Sequence, residues 1–251
     1  MTKNRFTVLQ PLPTESCIEE RDLMNEKYVI HPIQVGTIIR KKSNMVYGGS
    51  AEKTVFPLII FYVEGCGHKM LIDTGGSAPD GKHWLPYERT EGEHPANALA
   101  SIGVSCEDID TVFFTHLHWD HAGNNAIFPN AELIVQRTEY EFISAEDRPG
   151  FERDLAMESH YTLVNGSIND VRPGVSVILT PGHSVGSQCI KIETNEGSVI
   201  MVGDLMPTYE NLVRNVPNGG YYDLAVITES MIRIRKQGVP IFPGHDMSKF
   251  G

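Results

Sequence analysis

Apolar residues form short runs in the first part of the chain and strand-like or helix-like patterns further on. Tyr28–Ile39, Thr54–Val63 and His68–Ile72 are rich in Val, Ile, Phe and Tyr, which is typical of β-strands. The Gly65-Cys-Gly67 break predicts that the last two form a hairpin. Residues 1–26 are mixed and polar, and they predict either an arm or a first strand.

Sequence patterns typical of helices begin after the first three predicted strands. We predict helices at Pro95–Ile102, Arg137–Ser144 and Asp223–Gln237. The last is the clearest, because its apolar residues from Leu224 to Ile234 recur at spacings of three and four. Further strands are predicted at Thr111–Thr115, Ala131–Val135, Val175–Thr180, Gln188–Glu193, Ser198–Val202 and Val239–Phe242. This order of elements favours an α/β (α+β) protein with sheets covered by helices.

Residues 74–94 contain glycine, proline and charged residues without a clear period, which predicts a long loop. We interpret residues 77–94, with Trp84, Pro86 and Tyr87, as a candidate lid or specificity wall. The alternative that these residues form an ordinary surface loop is left open.

The chain has 251 residues, and 41% of them are hydrophobic, which predicts one globular domain over 1–251. Its formal net charge of −11 disfavours nucleic acid as a partner, because such binding depends on neutralising phosphates. The first residues lack the apolar core of a secretory signal, and no apolar run is long enough to span a membrane. We therefore expect a cytoplasmic protein without membrane contact.

A cluster of metal-binding residue types follows the predicted strand Thr111–Thr115. Within six residues, His116, His118, Asp120 and His121 offer three imidazoles and one carboxylate, the usual ligands of Zn²⁺ and similar ions. Side chains alternate along an extended chain, so the first two histidines point the same way and the other two residues can face a second position. A single ion rarely needs all four, so two ions are the better prediction. The intervening Trp119 is either a substrate wall or plain packing.

Three later segments each place one such residue after an apolar strand, with glycine beside it: Thr180-Pro-Gly-His183, Gly203-Asp204 and Pro243-Gly-His245. Alone, each histidine fits an ordinary surface or core role, and the aspartate fits a turn. Together with the cluster, they predict one site built from strand ends at one sheet edge.

The run from His116 to His121 resembles the H-x-H-x-D-H signature of the metallo-β-lactamase superfamily. Leu71-Ile-Asp-Thr-Gly75 resembles its early motif, in which the Asp supports the metal loop, and the three later segments match its later motifs in order. The resemblance spans about residues 55–246 and implies an αββα sandwich of the metallo-β-lactamase type. It also implies that His116, His118 and His183 hold one ion, that Asp120, His121 and His245 hold the other, and that Asp204 bridges them.

Within that superfamily, the Phe-Pro-Gly-His245-Asp246 ending and the all-His/Asp ligand set are similar to the N-acyl-homoserine lactonase branch. That resemblance implies a small-molecule lactone or ester substrate, opened by a hydroxide that bridges two divalent ions. Zn is the first expectation for these ions, with Mn, Fe or Co as alternatives. Asp120 is a candidate for moving a proton to the leaving group.

One position departs from the lactonase pattern. Those enzymes usually carry a Tyr three residues after the bridging Asp, where this chain has Pro207. Tyr209, Tyr221 and Tyr222 are the candidate replacements, and we assign Tyr209 as the catalytic one.

Other functions on this fold remain as alternatives, with a different small ester, thioester or phosphodiester as substrate. Too few residues follow His183 for the helical substrate domain of a glyoxalase II thioesterase. Acidic charge and the lack of an added domain disfavour a phosphodiesterase or nuclease. No cysteine stands at the position of Asp204, which disfavours a β-lactamase. A redox relative needs a flavin domain, and a non-enzymatic binder would have lost ligands. A homodimer through residues 1–26 is left open.

Overall fold

Two β-sheets packed face to face form the centre of the protein. The structure is a computed structural model that describes residues 27–77, 86–146 and 148–250. The predicted arm at residues 1–26 and Trp84 lie outside the described residues. Among the described residues, no helix combines the length and the apolar character needed to cross a membrane.

The first sheet has seven strands in the order β4-β1-β2-β3-β5-β6-β7, and the second has five in the order β12-β11-β10-β9-β8. The strands are β1 Val29–Lys41, β2 Lys53–Gly65, β3 His68–Ile72, β4 Tyr87–Glu88, β5 Thr111–Phe113, β6 Glu132–Gln136, β7 Tyr161–Val164, β8 Ile168–Arg172, β9 Val175–Leu179, β10 Gln188–Thr194, β11 Gly197–Met201 and β12 Ile241–Phe242.

The α-helices are short except for two that cover the sheets. They are α1 Lys42–Met45, α2 Pro95–Ser101, α3 Trp119–Ala122, α4 Arg137–Glu146, α5 Tyr209–Arg214 and α6 Leu224–Arg235. Single 3₁₀ turns lie at Glu91–Glu93, Cys106–Asp108, Asn125–Ile127 and Gly203–Leu205, and a longer one at Leu155–His160.

Strand β2 is buried on both faces, which explains its nearly continuous apolar sequence. Ile59, Phe61 and Val63 pack towards the second sheet, in one core cluster with residues of β9, β10 and β11. Leu58 and Ile60 point the other way, into a cluster that includes α2 and α4. The alternation along one strand therefore joins both layers of the core.

Helix α6 covers the outer face of the second sheet. Its residues Ile227, Met231 and Ile234 are buried in a third cluster with Cys189 of β10. The Asp223 side chain caps the helix by accepting hydrogen bonds from two backbone N–H groups of its first turn. With helices on the outer face of each sheet, the predicted αββα sandwich is confirmed.

The predicted strands and the three predicted helices are all present, with bounds that shift by a few residues. The predicted strand Thr111–Thr115 ends at Phe113, because the Thr115 N–H leaves the ladder and donates to the Asp73 carboxylate. Strands β7 and β8 were not predicted; β8 is polar and largely exposed, so it lacks an apolar pattern. The predicted loop over 74–94 is wrong at Tyr87–Glu88, which pairs with β1 as an edge strand.

Candidate metal centre

The predicted ligand residues all lie just after strands, at one end of the sandwich. The run from His116 to His121 follows β5, and His183 follows β9. Asp204 lies in the 3₁₀ turn after β11, and His245 follows β12, the parallel neighbour of β11. Because each loop leaves the end of a strand, the sheets bring the ligand residues to the same end of the molecule.

The structure brings seven ligand-type side chains into one cluster. They fall into three overlapping groups, within each of which one ligand atom per residue lies no more than 4.8 Å from the others. The groups are His116, His118 and His183; Asp120, His121 and His245; and His116, His121 and Asp204. Asp204 thus groups with one histidine from each of the first two sets.

Asp73, at the end of β3, supports the loop that carries the cluster. Its carboxylate accepts hydrogen bonds from the backbone N of Thr115 at 2.7 Å and from the Thr115 hydroxyl at 2.8 Å. It also accepts from Nδ1 of His121 at 2.7 Å. Asp73 itself has a positive φ of 62°, a conformation that few residues other than glycine adopt. The supporting role implied for this residue by the resemblance fits these contacts.

Carbonyl and carboxylate groups outside the cluster fix the rings of three histidines. Nδ1 of His183 donates to the Gly220 carbonyl at 2.6 Å, and Nδ1 of His245 donates to the Pro57 carbonyl at 2.8 Å. His121 donates to Asp73 in the same way. A ring whose Nδ1 carries the proton presents, in its neutral form, the lone pair of Nε2 to the interior of the cluster.

The Nε2 atoms converge on one another and on the Asp204 carboxylate. Nε2 of His245 lies 2.9 Å from Oδ1 of Asp204, and Nε2 of His183 lies 3.3 Å from Oδ2 of the same carboxylate. Nε2 of His121 and Nε2 of His245 are 3.2 Å apart. Nε2 of His116 is buried and has no hydrogen-bond partner among the described residues. Such a set of converging acceptors is unfavourable on its own, and cations between the atoms would satisfy it.

Burial and neighbouring charges shift the pKa values of the centre in both directions. Burial alone would lower the pKa of His121, but Asp73 and Asp204 outweigh it and raise that pKa well above its ordinary value. Burial and the adjacent His183 lower the pKa of His118 to about 3, so this ring is neutral at pH 7. Burial alone would raise the pKa of Asp204, but His245 and His183 outweigh it and hold that pKa well below its ordinary value. A neutral imidazole and an ionised carboxylate are the forms that bind divalent metals.

Glu139 of α4 is a buried carboxylate that the sequence analysis did not single out. It accepts hydrogen bonds from the backbone N of Leu117 at 3.1 Å, from the Ser184 hydroxyl at 2.8 Å and from the backbone N of Gly186 at 2.8 Å. Leu117 lies between two ligand histidines, and Ser184 follows His183. Glu139 therefore ties the two ligand loops together. A helical glutamate gives no sequence signal for this role, because its partners are distant in the chain.

A cavity of about 240 Å³ opens directly onto the cluster. Its lining includes His118, Asp120, His183 and Asp204, and its other residues are Ile38, Arg40, Asn44, Met45, Trp119, Pro149, Gly150, Asn218 and Gly220. Trp119 lines this cavity, and its buried ring packs edge-on against Tyr87 at 5.4 Å between centroids, while its role as a substrate wall stays a prediction.

The structure does not bring the predicted replacement tyrosines to this cavity, since none of them is among its lining residues. The Tyr209 ring contacts Phe250 and lies under the Lys249 ammonium group. Tyr221 and Tyr222 are exposed and pack against Tyr47 and Phe142 respectively. The assignment of Tyr209 as catalytic therefore finds no support in the geometry.

Pro207 contributes to the centre through its backbone. Its carbonyl accepts a hydrogen bond from the backbone N of His245 at 2.9 Å. The residue therefore fixes the loop of one ligand histidine, although it offers no side-chain donor to a substrate.

Comparisons with known proteins agree with this geometry. The model of the family described as "Metallo-beta-lactamase superfamily" matches residues 56–245. The N-acyl homoserine lactonase of Bacillus thuringiensis is 36% identical over 165 residues, which cover 64% of this chain and 65% of that protein. The alignment thus spans just under two thirds of the length of this curated relative.

Two solved structures are similar over most of the chain. An N-acyl homoserine lactone hydrolase, with the product N-hexanoyl-L-homoserine bound at its catalytic metal center, has a TM-score of 0.78 at 29% identity, over 89% of this chain and 95% of that chain. A quorum-quenching N-acyl homoserine lactone lactonase has a TM-score of 0.78 at 30% identity, over 88% and 94% respectively. The chain therefore belongs to the metallo-beta-lactamase superfamily, in its N-acyl homoserine lactonase branch.

Proposed function

We propose that this protein is a dinuclear metal-dependent hydrolase that opens the ring of a lactone, an internal ester. The observation that carries the proposal is the convergence of buried histidine nitrogens and carboxylate oxygens, of which Nε2 of His116 and Oδ1 of Asp204 have no hydrogen-bond partner among the described residues. Nε2 of His245 faces the Asp204 carboxylate at 2.9 Å, while the proton of that ring is held on the other nitrogen by Pro57. Two divalent cations bound among these atoms would turn mutual repulsion into coordination.

We assign the ligands in two sets that share Asp204: His116, His118 and His183 for one ion, and Asp120, His121 and His245 for the other. The grouping of ligand atoms within 4.8 Å supports this division. The donors are imidazole nitrogens and carboxylate oxygens, without thiolate, which suits Zn and also Mn, Fe or Co. Zn is our first expectation for both ions.

Two divalent ions in this place would lower the pKa of a shared water and polarise a carbonyl group, which is the chemistry that ester hydrolysis needs. The protein residues supply position and proton transfer. Asp73 and Glu139 hold the ligand loops, so the cluster is organised before substrate arrives. Asp120 lines the cavity beside the cluster, and we assign it the delivery of a proton to the leaving alcohol oxygen.

The substrate class follows from the cavity and the relatives together. A volume of about 240 Å³ suits a small ring compound and excludes a polymer from the buried part of the site. Similar proteins bear the name N-acyl homoserine lactonase, and one was solved with N-hexanoyl-L-homoserine. We therefore propose N-acyl-homoserine lactones, or lactones of similar size, as substrates.

An activity screen across lactones, thioesters and phosphodiesters, with and without a chelator, tests the proposal. We expect turnover of a lactone, loss of that turnover with the chelator and recovery when Zn²⁺ or Mn²⁺ is returned. Turnover of a thioester or phosphodiester without any lactone turnover would replace the proposed function with one of its alternatives. Activity that survives complete removal of metal would refute the dinuclear mechanism.

The single domain over 1–251, the cytoplasmic location and a homodimer built through residues 1–26 stay predictions. Size-exclusion chromatography of the full chain and of a chain that begins at Lys27 tests the homodimer: the full chain should elute as a dimer and the shorter one as a monomer.

A further inference from the structure

Arg40 is a positively charged residue on the wall of the cavity, outside the ligand set. It lies near the end of β1, and Ile38, two residues earlier on the same face of the strand, lines the cavity as well. Met45 of α1 continues the same wall. Arg40 is therefore held by a long strand of the first sheet, opposite the loops that carry the ligand histidines.

The guanidinium of Arg40 has no polar partner among the described residues. Across residues 27–77, 86–146 and 148–250, no hydrogen bond or ion pair engages it. The other polar neighbours in the cavity differ. The Asn218 side chain already binds protein groups: its amide nitrogen donates to the backbone carbonyl of Asp204 at 2.9 Å, and its oxygen accepts from the backbone N of Gly220 at 2.8 Å. Asn44 carries no charge. Arg40 is thus the cavity's charged hydrogen-bond donor without a protein partner.

Electrostatics makes an unpaired arginine unusual in this place. The protein has a formal net charge of −11, so carboxylates that could pair with a surface arginine are abundant. If the centre holds two divalent ions, their four positive charges exceed the three negative charges of Asp73, Asp120 and Asp204, so the cavity floor is positive before a hydroxide is bound. A second positive group facing a positive floor is favourable only when an acceptor lies between them.

We propose that Arg40 binds an sp² oxygen on the substituent of the substrate, at a distance from the ester bond that is cleaved. A planar guanidinium matches the two lone pairs of a carboxylate and also donates to an amide carbonyl. The preferred substrate is accordingly a lactone that carries an acyl-amide or carboxylate group, rather than a bare ring. This inference rests on the proposed function, because it assumes that the cavity beside the cluster receives the substrate.

The test compares substituted and bare rings in the metal-loaded enzyme. The substrates are N-hexanoyl-homoserine lactone, a γ-butyrolactone that carries a carboxylate on its ring, and unsubstituted γ-butyrolactone. The variants are Arg40→Gln, Arg40→Lys and the control Lys41→Gln, which removes the same charge from an exposed neighbour that does not line the cavity.

We expect the ratio of kcat/KM for a substituted lactone to that for γ-butyrolactone to fall roughly ten- to a hundredfold in Arg40→Gln, the range for loss of a charged hydrogen bond. The fall should come mainly from KM. Arg40→Lys should recover part of the ratio, and Lys41→Gln should keep it within about twofold. If the kcat/KM ratio falls more for the γ-butyrolactone with a ring carboxylate, the group that Arg40 binds is a carboxylate. If the ratio falls more for N-hexanoyl-homoserine lactone, that group is an amide carbonyl. An unchanged ratio for both rings would overturn the proposal.

A binding experiment separates this inference from the proposed function. The ring-opened compound N-hexanoyl-homoserine is titrated calorimetrically into the metal-loaded wild type, Arg40→Gln and Lys41→Gln. Weaker binding by Arg40→Gln than by the other two supports the role of Arg40 even if no lactone is turned over. Equal affinities, or no binding to any of the three, would overturn it. Lactone turnover with an unchanged kcat/KM ratio in Arg40→Gln would be consistent with the proposed function and would contradict only the role of Arg40.

Discussion

Two buried carboxylates outside the ligand set, Asp73 and Glu139, each orient one part of the cluster. Asp73 fixes the ring of His121 and the start of its loop, and Glu139 joins that loop to the one that carries His183. Both side chains accept hydrogen bonds from donors that are distant in the sequence. Their effect is to set where ligand atoms point, which a list of ligands alone does not describe.

The first prediction concerns a ligand itself. His118→Ala removes one of the three nitrogens that we assign to one ion, so the purified variant should hold about one metal ion per chain and lose lactone hydrolysis. Elemental analysis and a pH-stat assay measure the two effects. The control is His31→Ala, whose side chain is 42% exposed and lies outside the ligand groups. Full activity in His118→Ala would contradict the ligand assignment.

The second prediction concerns Glu139. In Glu139→Gln, the amide nitrogen must face a donor, either the N–H of Leu117 or the N–H of Gly186 and the hydroxyl of Ser184. We expect metal affinity to fall roughly 10- to 100-fold, as is typical when the support of a ligand is lost. Competition with a chromophoric chelator gives the affinity.

The matched control for Glu139 is Glu141→Gln, because that side chain lies on the same helix, is 62% exposed and pairs only with Arg137 among the described residues. Glu141→Gln should keep the wild-type affinity. If Glu139→Gln lowers the melting temperature but binds metal as the wild type does, Glu139 is a stabilising residue without a role in positioning the ligands.

At the scale of elements, the sequence predicted nine of the twelve described strands and the three longest helices, and it predicted that several strand ends carry ligands. Periodicity was sufficient for β2 and α6, because both bury regular apolar faces. It failed for β8, whose exposed polar residues are ordered by pairing with β9 rather than by burial. It also gave no signal for the edge strand β4, which is two residues long.

Gly182 allows helix α6 to pack closely against the loop that carries His183. Its φ of +127° already disfavours a side chain, and a Cβ there would lie 2.3 Å from the backbone N of Ile227 in α6. Gly182→Ala should lower the free energy of unfolding by about 3 kcal/mol, from backbone strain and collision together. Because His183 is the next residue, the variant should also bind metal less tightly.

Urea unfolding and the chelator competition measure both effects of Gly182→Ala. Gly166→Ala is the control: its φ is +74°, but a Cβ there meets nothing within 4 Å. It carries the backbone strain without the collision, so it should cost about 1 kcal/mol and leave metal binding unchanged. Equal losses in the two variants would mean that the packing of α6 against the His183 loop does not matter.

At the scale of the whole molecule, the site lies where two sheets and four separate loops meet. The sequence predicted the seven ligand-type residues, because each follows an apolar strand or lies in the cluster after one. It could not predict which other polar side chains line the cavity beside the cluster. Tyr209 lies two residues after Pro207 in the sequence, but the fold turns its ring towards Phe250. Arg40 comes from a strand far away in the sequence, so only the structure brings it to the cavity.

The whole-molecule prediction is that bound metal stabilises the fold. Without metal, buried acceptors in the centre face one another, and an ion that binds only the folded chain adds to its stability by mass action. At a free ion concentration a thousand times its Kd, one ion contributes about 4 kcal/mol, or roughly 10 °C in Tm for a chain of this size. Calorimetry of the metal-free and metal-loaded forms measures the shift, and equal Tm values would contradict it.

A metal titration measures the stoichiometry and the function of the dinuclear centre in the same sample. Metal-free protein is titrated with Zn²⁺, and lactone hydrolysis is recorded at each ratio of metal to protein. The account predicts that hydrolysis reaches its maximum at two ions per chain, with elemental analysis of the desalted protein giving the same number. Maximal hydrolysis at one ion per chain, or hydrolysis that does not depend on added metal, would contradict it.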